Sequence, residues 1–283
     1  MKALLRALPS MPSRRLPPSP EPSPAAQDSS ALARGLAILD CLLLAARPLT
    51  LVEIAQATQL PTSTAHRQLQ LLEQLGRTYR DAAGRHCAGV ATVAPLPLDH
   101  PLNLLRRDAT DVLRQLQTQF RATAVLTVFL GSQRLVIEAI TGQHAIAPYI
   151  GTQAHSPLHC SVSGKLLLST LAPAARAQLR GAAPYLARTP ATLTSPKALF
   201  SQLERIAKER LAVNLEENVE GISAQGVLVA TAAGHAIGAL ALTGPSALFS
   251  APQRAAMAPV LMRNANLLGA SLSAHAVARL LAA

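Results

Sequence analysis

The spacing of hydrophobic positions changes along the chain, and each change marks an element. From Ser30 onward Leu32, Leu36, Leu39 and Leu43 recur at helical spacing, with Ser29 or Ser30 placed to cap. Arg47-Pro48 stops this helix, because proline disfavours helical geometry in the residue before it. A second helix is predicted from about Thr50 or Leu51 to Thr58, with Thr50 as N-cap. Gln59-Leu60 interrupts it, Pro61 suits a first helical turn, and a third helix runs to about Leu75, where Gly76 ends it. Ala65, Leu69, Leu72 and Leu75 form the expected inward face of that third helix. Residues 77–80, the turn Asp81-Ala82-Ala83-Gly84 and residues 85–87 then read as a small β-hairpin.

Pro95, Pro97 and Pro101 mark a linker, followed by a helix over about 102–120. Strands are predicted at 122–130 and 134–140 around a Gly131-Ser132 turn, with a third near 145–150. Helices follow at 160–171, 173–180 and 197–211, then hairpin strands around 224–231 and 236–243, and a last helix from near Ala251. Strands, helices and strands again describe a mixed α/β domain with a largely antiparallel sheet. The division expected is a disordered tail over 1–30, a first domain over 31–94, a linker and linker helix over 95–120, and a second domain over 121–275. No internal repeat is visible.

Composition narrows the classes. Residues 1–30 hold seven prolines with few large apolar side chains after Leu8, too little burial to offset the entropy of ordering. Arg6 interrupts the apolar start, so this segment does not read as a secretory signal. The nearly uncharged run 225–243 carries His235 and a central turn, which favours two buried strands over a membrane span. The net charge of +11 suggests a polyanionic partner, but the excess is spread along the chain, so the local pattern has to decide. Three scattered cysteines without a CxxC support neither a zinc ribbon nor a disulfide framework, and a reducing cytoplasm is the simplest setting. With no Trp and seven Phe and Tyr in all, stacking platforms for single-stranded nucleic acid are not expected.

Helix, helix, turn, helix and hairpin within about 60 residues is the winged helix-turn-helix layout. The third helix carries Thr62, Ser63, Thr64, His66, Arg67 and Gln70 toward its N-terminal end, the end that meets double-stranded DNA in this motif. Arg67 has the geometry for a bidentate contact with guanine and Gln70 for adenine, while the hydroxyls suit phosphate. Arg80 and Arg85 flank the hairpin turn as wing-tip contacts to the DNA backbone or minor groove.

Further along, residues 157–165 read as a chain entering a helix, whose unpaired N–H groups suit a carboxylate. His159, Ser161 and Ser163 can add hydrogen bonds there, or merely cap the helix. Enzymatic patterns fail around this point. Gly164-Lys165 lacks the other residues of a phosphate loop, Ser163 and Lys165 are not at Ser-x-x-Lys spacing, and Cys160 beside His159 diverges from it on a helix. No catalytic site and no cofactor are therefore expected. His155, His159 and Cys160 lie near one another but make no four-ligand set, so no metal is expected either.

Several runs resemble regulators of the IclR family. They include residues 33–39, 48–55, 60–67 and 69–76, then Pro157-Leu158-His159 with Ser163-Gly164-Lys165, Arg188-Thr189-Pro190, Thr192-Leu193-Thr194, Glu216-Glu217, Gly221-Ile222 and Thr243-Gly244-Pro245. Matches run in order from about residue 31 to 270. The resemblance implies an α+β chain: a winged helix-turn-helix, a linker helix and a GAF- or PAS-like domain that binds a small-molecule effector. It also implies a homodimer or dimer of dimers, with the first helix and the linker helix contributing to the interface. The effector is expected between the sheet and the helix that opens with the Pro-Leu-His motif, at Val162, Ser163, Asn214, Ala224, Ala241 and Thr243, with Tyr149, His159, Ser161 and Gly164 completing the candidates. Thr62 stands where the family often has a basic residue. Asn214, Ala224 and Ala241 replace an acid, a cysteine and a serine of some relatives, and Gly226-Val227-Leu228-Val229 replaces an Ala-Ala-Pro-Val run. These departures point to a more apolar carboxylic effector, an aromatic acid rather than glyoxylate. The alternatives are a non-specific basic DNA-binding protein and, further off, an enzyme acting on a small molecule.

Overall fold

Capping chemistry sets the first three helices. Helix α1 (Ala31–Ala45) opens at Ser30, whose hydroxyl accepts from the Ala33 amide at 3.3 Å. Helix α2 (Leu51–Thr58) opens with a reciprocal box: Thr50 Oγ1 accepts from the Glu53 amide, and the Glu53 carboxylate accepts from the Thr50 amide at 2.7 Å. It ends where Gln59 adopts a left-handed conformation. Helix α3 (Thr62–Gln74) follows Pro61 and stops before Gly76, whose φ of +67° turns the chain away. Strands β1 (Thr78–Arg80) and β2 (His86–Ala88) pair antiparallel, and Leu49 exchanges both backbone hydrogen bonds with His86. A single turn of helix, α4 (Val90–Val93), follows. Ile38, Leu42, Leu49, Ile54, Ala55, Ala65, Leu69 and Leu72 make the core of this unit. Leu75, expected inward, is 62% exposed, because α3 has ended and Leu75 occupies its C-cap beyond the reach of that core.

The computed structural model describes residues 30–45, 47–93, 96–142, 156–180 and 184–282. The chain divides into two units between Pro95 and Leu96. The tail at 1–29, the strand expected at 145–150, Tyr149 and His155 lie outside the described residues.

The second unit is built on an antiparallel sheet. Helix α5 (Pro101–Phe120) begins with proline in its first turn and ends at Arg121, which is left-handed. Strands β3 (Thr123–Leu130) and β4 (Gln133–Ile140) follow around Gly131. A 3₁₀ turn (Leu158–Cys160), α6 (Val162–Thr170), α7 (Pro173–Arg180) and α8 (Pro196–Glu209) come next. Then come β5 (Leu211–Leu215), β6 (Ile222–Ala230), β7 (Ala236–Pro245), α9 (Ala251–Gly269) and α10 (Leu272–Ala282). The strand order is β4-β3-β7-β6-β5. Alternation along the strands divides the side chains. Ala124, Leu126, Val128, Val227, Val229 and Leu242 pack with Leu105, Leu113, Leu261 and Val277 of α5, α9 and α10. Phe129, Ala212, Ala224 and Ala239 pack with Val162, Leu166, Leu199 and Leu203 of α6 and α8. The sheet is thus covered on both faces.

Three expectations need correction. The helix predicted to reach residue 211 ends at Glu209. Arg210 is left-handed there, and residues 211–215 form an edge strand hydrogen-bonded to β6. The helix predicted from residue 160 begins at Val162, because Ser161 is extended and residues 158–160 form a tighter turn. The single last helix is two, α9 and α10, separated at Ala270-Ser271.

Candidate functional site

In the first unit the chemistry sits on one face of α3. Ala65, Gln68, Leu69 and Leu72 are buried and hold the helix to its core. Thr62, Ser63, Arg67 and Gln70 are exposed, and Thr64 and His66 are half-buried. Ser63 with Arg67, and His66 with Gln70, are four residues apart and so share a side of the helix. Pro61 at the N-cap makes no side-chain hydrogen bond, so the first-turn amides of α3 receive no capping acceptor from it. A helix end of this kind accepts phosphate.

The hairpin beside it carries two tethered cations. Arg80 Nε lies 3.2 Å from Glu73 of α3, and the Arg85 guanidinium lies 2.7 Å from Asp81 in the turn. Asp81 also accepts from the Ala83 and Arg85 amides, and these bonds, that of Arg85 foremost, hold its carboxyl below the usual range. All four side chains keep substantial exposure apart from Asp81, so both arginines can exchange a carboxylate for a phosphate at small cost. His86, which sequence reasoning passed over, is buried beneath the hairpin. Burial and then the Arg80 charge push its pKa down, and its Nδ1 has no partner among the described residues.

In the second unit the candidates converge on the start of α6. The 3₁₀ turn fixes His159, whose Nε2 lies 3.0 Å from the Leu186 carbonyl and whose ring stacks on Tyr185. Ser161 donates to the Pro157 carbonyl at 2.9 Å. Gly164 is required by packing: a Cβ there would lie 2.4 Å from the Leu158 carbonyl oxygen. Val162 sits over Gly226, where a Cβ would come within 2.7 Å of both Val162 and Ala241. Register places Ala224 between Asn214 and Thr243, and Gly226 between Ala212 and Ala241, so small side chains floor this part of the sheet. Asn214 uses both ends of its amide, donating to the Cys160 carbonyl and accepting from the Glu217 amide, each at 2.8 Å. Thr243 donates to the Ser223 carbonyl at 3.2 Å. Asn214 and Gly164 thus bear visibly on the architecture of this region.

Three groups here escaped sequence reasoning. Arg134, on β4, donates to Ser161 Oγ at 2.7 Å, to Ser163 Oγ at 3.1 Å and to the Ser156 carbonyl. Lys165 and Glu217 form an ion pair shielded from solvent. The signal for Arg134 was a cation near the start of a strand that also carries Leu135, Val136, Ile137 and Ile140. Burial pushes the Cys160 thiol up to about 11, which keeps it neutral and a poor nucleophile. Among the described residues no group of His, Cys, Asp and Glu gathers as a metal site, and no helix is long and apolar enough to cross a membrane.

Comparison with known proteins matches the same two regions. The IclR helix-turn-helix domain model matches residues 31–82, and the model described as bacterial transcriptional regulator IclR C-terminal matches residues 102–268. The chain is 32% identical over 234 residues to the probable transcriptional regulator SauR of Cupriavidus necator, covering 82% of this chain and 93% of that one. It is 29% identical over 248 residues to the HTH-type transcriptional regulator BhcR of Paracoccus denitrificans, covering 85% and 87%. Among solved structures, an IclR homolog from Microbacterium hydrocarbonoxydans complexed with 4-hydroxybenzoate is alike in fold, with a TM-score of 0.71 at 23% identity over 83% of this chain and 96% of that one. The Thermotoga maritima IclR gives 0.65 at 23% identity over 89% and 98%.

Proposed function

Because the chain belongs to the IclR family of bacterial transcriptional regulators, we propose that α3 reads an operator in the major groove while the start of α6 receives an aromatic or similarly apolar carboxylic acid. The chain is a DNA-binding regulator that responds to a small organic effector. The reading adds how it does so. Arg67 and Gln70 meet base edges, Thr62, Ser63, Thr64 and the first-turn amides of α3 meet phosphates, and Arg80 and Arg85 lie along the backbone. The chain works in the cytoplasm as a homodimer or dimer of dimers, with α1 and α5 contributing to the contacts. Two-fold symmetry then requires a near-palindromic operator. Effector binding shifts the population of geometries and so the separation of the two α3 helices.

One observation carries the DNA half of this reading: a spine of Ala65, Leu69 and Leu72 is buried while Ser63, Arg67 and Gln70 stand exposed on the same helix. The small side chains under α6, and the 4-hydroxybenzoate in the Microbacterium hydrocarbonoxydans homolog, support the effector half. Footprinting of the intergenic DNA beside the chain's own gene, with and without benzoate, 4-hydroxybenzoate, pyruvate and glyoxylate, tests both halves. A protected near-palindrome bound about 10³-fold more tightly than random DNA at matched salt is the expected result. Equal affinity for random DNA would leave a non-specific basic protein instead. Stronger stabilisation by glyoxylate or pyruvate than by the aromatic acids would remove the apolar-effector reading.

A further inference from the structure

His86 opens β2 directly opposite Arg80 of β1, and only 3% of it is exposed. Its main chain exchanges both hydrogen bonds with Leu49, a core residue of the segment between α1 and α2, so His86 carries the backbone bridge between hairpin and helices. Its Nδ1 has no hydrogen-bond partner among the described residues. Neither has Thr78 Oγ1, a second buried polar atom on the same face of the hairpin. Each of these atoms has given up hydration without a replacement, which weakens the seating of the hairpin on the helices. Charges reach the imidazole from two elements. Arg80 faces it across the strand pair, Glu73 and His66 lie on α3, and Arg80 already engages the Glu73 carboxylate at 3.2 Å. On α1 the ionisable group packed on this core is the Cys41 thiol, which burial keeps neutral, while Arg47 and Arg85 are paired with Glu53 and Asp81. Burial first, and then Arg80, push the His86 pKa down.

We propose that His86 is a proton-triggered latch: when its imidazole takes up a proton, the hairpin releases from Leu49 and α3 and the winged unit opens. Like charges directly opposite each other on paired strands repel, and an imidazolium at this position faces the Arg80 guanidinium. The carboxylate nearest to offset it is already spent on Arg80. Strand alternation turns the side chain inward, so it reaches water only if the strand moves, and that movement breaks both bonds to Leu49. An imidazole with a depressed folded pKa favours the closed hairpin above its unfolded value of about 6.5, and that contribution is lost as pH falls through the folded value. Opening is thus expected in mild acid, above the range in which carboxylates titrate. Release also carries Arg80 and Arg85 away from α3, so the wing half of the proposed DNA surface goes with it.

The test is hydrogen exchange of the full-length protein without DNA, so its outcome is independent of the operator reading. Peptides covering residues 47–52 and 77–89 are followed between about pH 7.5 and 5.5, with the intrinsic pH dependence of exchange divided out. Protection of both peptides should fall together in acid, by at most about tenfold per pH unit for the one proton involved. His86→Gln, neutral at every pH, should flatten the profile. Two neighbours should move it in opposite directions. Arg80→Gln removes the facing charge and frees Glu73 for the imidazolium, so the hairpin should stay closed in acid. Glu73→Gln leaves Arg80 unopposed, so the hairpin should open at higher pH. If His86→Gln fails to fold, the Arg80 and Glu73 variants and the imidazole NMR titration of the unaltered protein still decide. A His86 titration at or above about 6.5 in the folded chain would overturn the inference. So would protection that stays constant across the interval, or an acid loss that persists in folded His86→Gln.

Discussion

Lys165 and Glu217 meet inside the second unit with the ammonium 2.6 Å from a carboxylate oxygen, and the lysine has no exposed surface. The ammonium also donates to the Val213 carbonyl at 3.1 Å, so the pair pins α6 to β5 and to the turn after it. Burial opposes both charges, raising the Glu217 pKa and lowering that of Lys165, and each charge counters the effect on the other. Removing one partner therefore strands the other. Lys165→Met and Glu217→Gln should each cost about 3–5 kcal/mol, whereas the double variant should recover much of that loss. Urea denaturation of the three variants measures it. Single and double losses that simply add would show that the pair is not coupled.

How much of this was legible in the sequence depends on how local each signal is. Thr50 with Glu53 three residues on is contained in four positions, and the capping box stands where that spacing puts it. The polar start of α3 is equally local, so its exposed residues could be named from the chain alone. Strand β5 could not, because its five residues continue a helical run without glycine or proline, and only the left-handed Arg210 reverses the chain. Arg134, Lys165 and Glu217 lie on different elements and find their partners through sheet register and helix packing, which no window of sequence contains. The role of Gly164 is hidden in the same way: its lack of a side chain matters because Leu158 folds back against it.

Two glycine substitutions should have opposite signs. A Cβ at Gly164 would lie 2.4 Å from the Leu158 carbonyl oxygen and 2.5 Å from its Cα, and backbone of a tight turn cannot step aside. Gly164→Ala should cost about 1–3 kcal/mol and weaken effector binding by displacing the start of α6. Gly35 lies within α1, where a Cβ would meet Gln68 Oε1 at an ordinary 3.5 Å. Gly35→Ala should therefore stabilise by about 0.5–1 kcal/mol through helix propensity. Thermal melts of the two variants decide, and equal shifts of one sign would contradict the packing argument.

Acid should loosen the entry to α2. The Thr50 amide first, then the Arg47 guanidinium, hold the Glu53 carboxyl down to about 2 in the folded chain. An acid with a depressed folded pKa stabilises above its unfolded value, about 4.3, and loses that contribution as pH falls through the folded one. The gap in melting temperature between the unaltered chain and Glu53→Ala should thus be full at pH 6 and shrink steadily between about pH 4.5 and 2. A gap constant across that interval would show that the carboxylate does not act through its charge.

The division of labour between α3 and the hairpin is open to a direct comparison. Arg67 is exposed on the same side of α3 as Ser63, and a side chain there meets base edges when the helix lies in the major groove. Arg67→Ala should cost about 1–3 kcal/mol on the operator and relax the choice of base at one position. Arg85 differs in kind. Its guanidinium pairs with Asp81 in the turn, with 48% of its own side chain exposed, and an exposed pair of this sort is weak enough to yield to phosphate. A phosphate contact carries no sequence information, so Arg85→Ala should weaken operator and random DNA about equally and lower the salt slope by about 1. Asp81→Asn adds a control, because it removes the competing charge while an amide oxygen can still accept from the Ala83 and Arg85 amides. It should strengthen binding to all sequences. Titrations of the three variants against operator and random duplexes at several salt concentrations separate the roles, and indistinguishable behaviour of Arg67→Ala and Arg85→Ala would mean that neither reads a base.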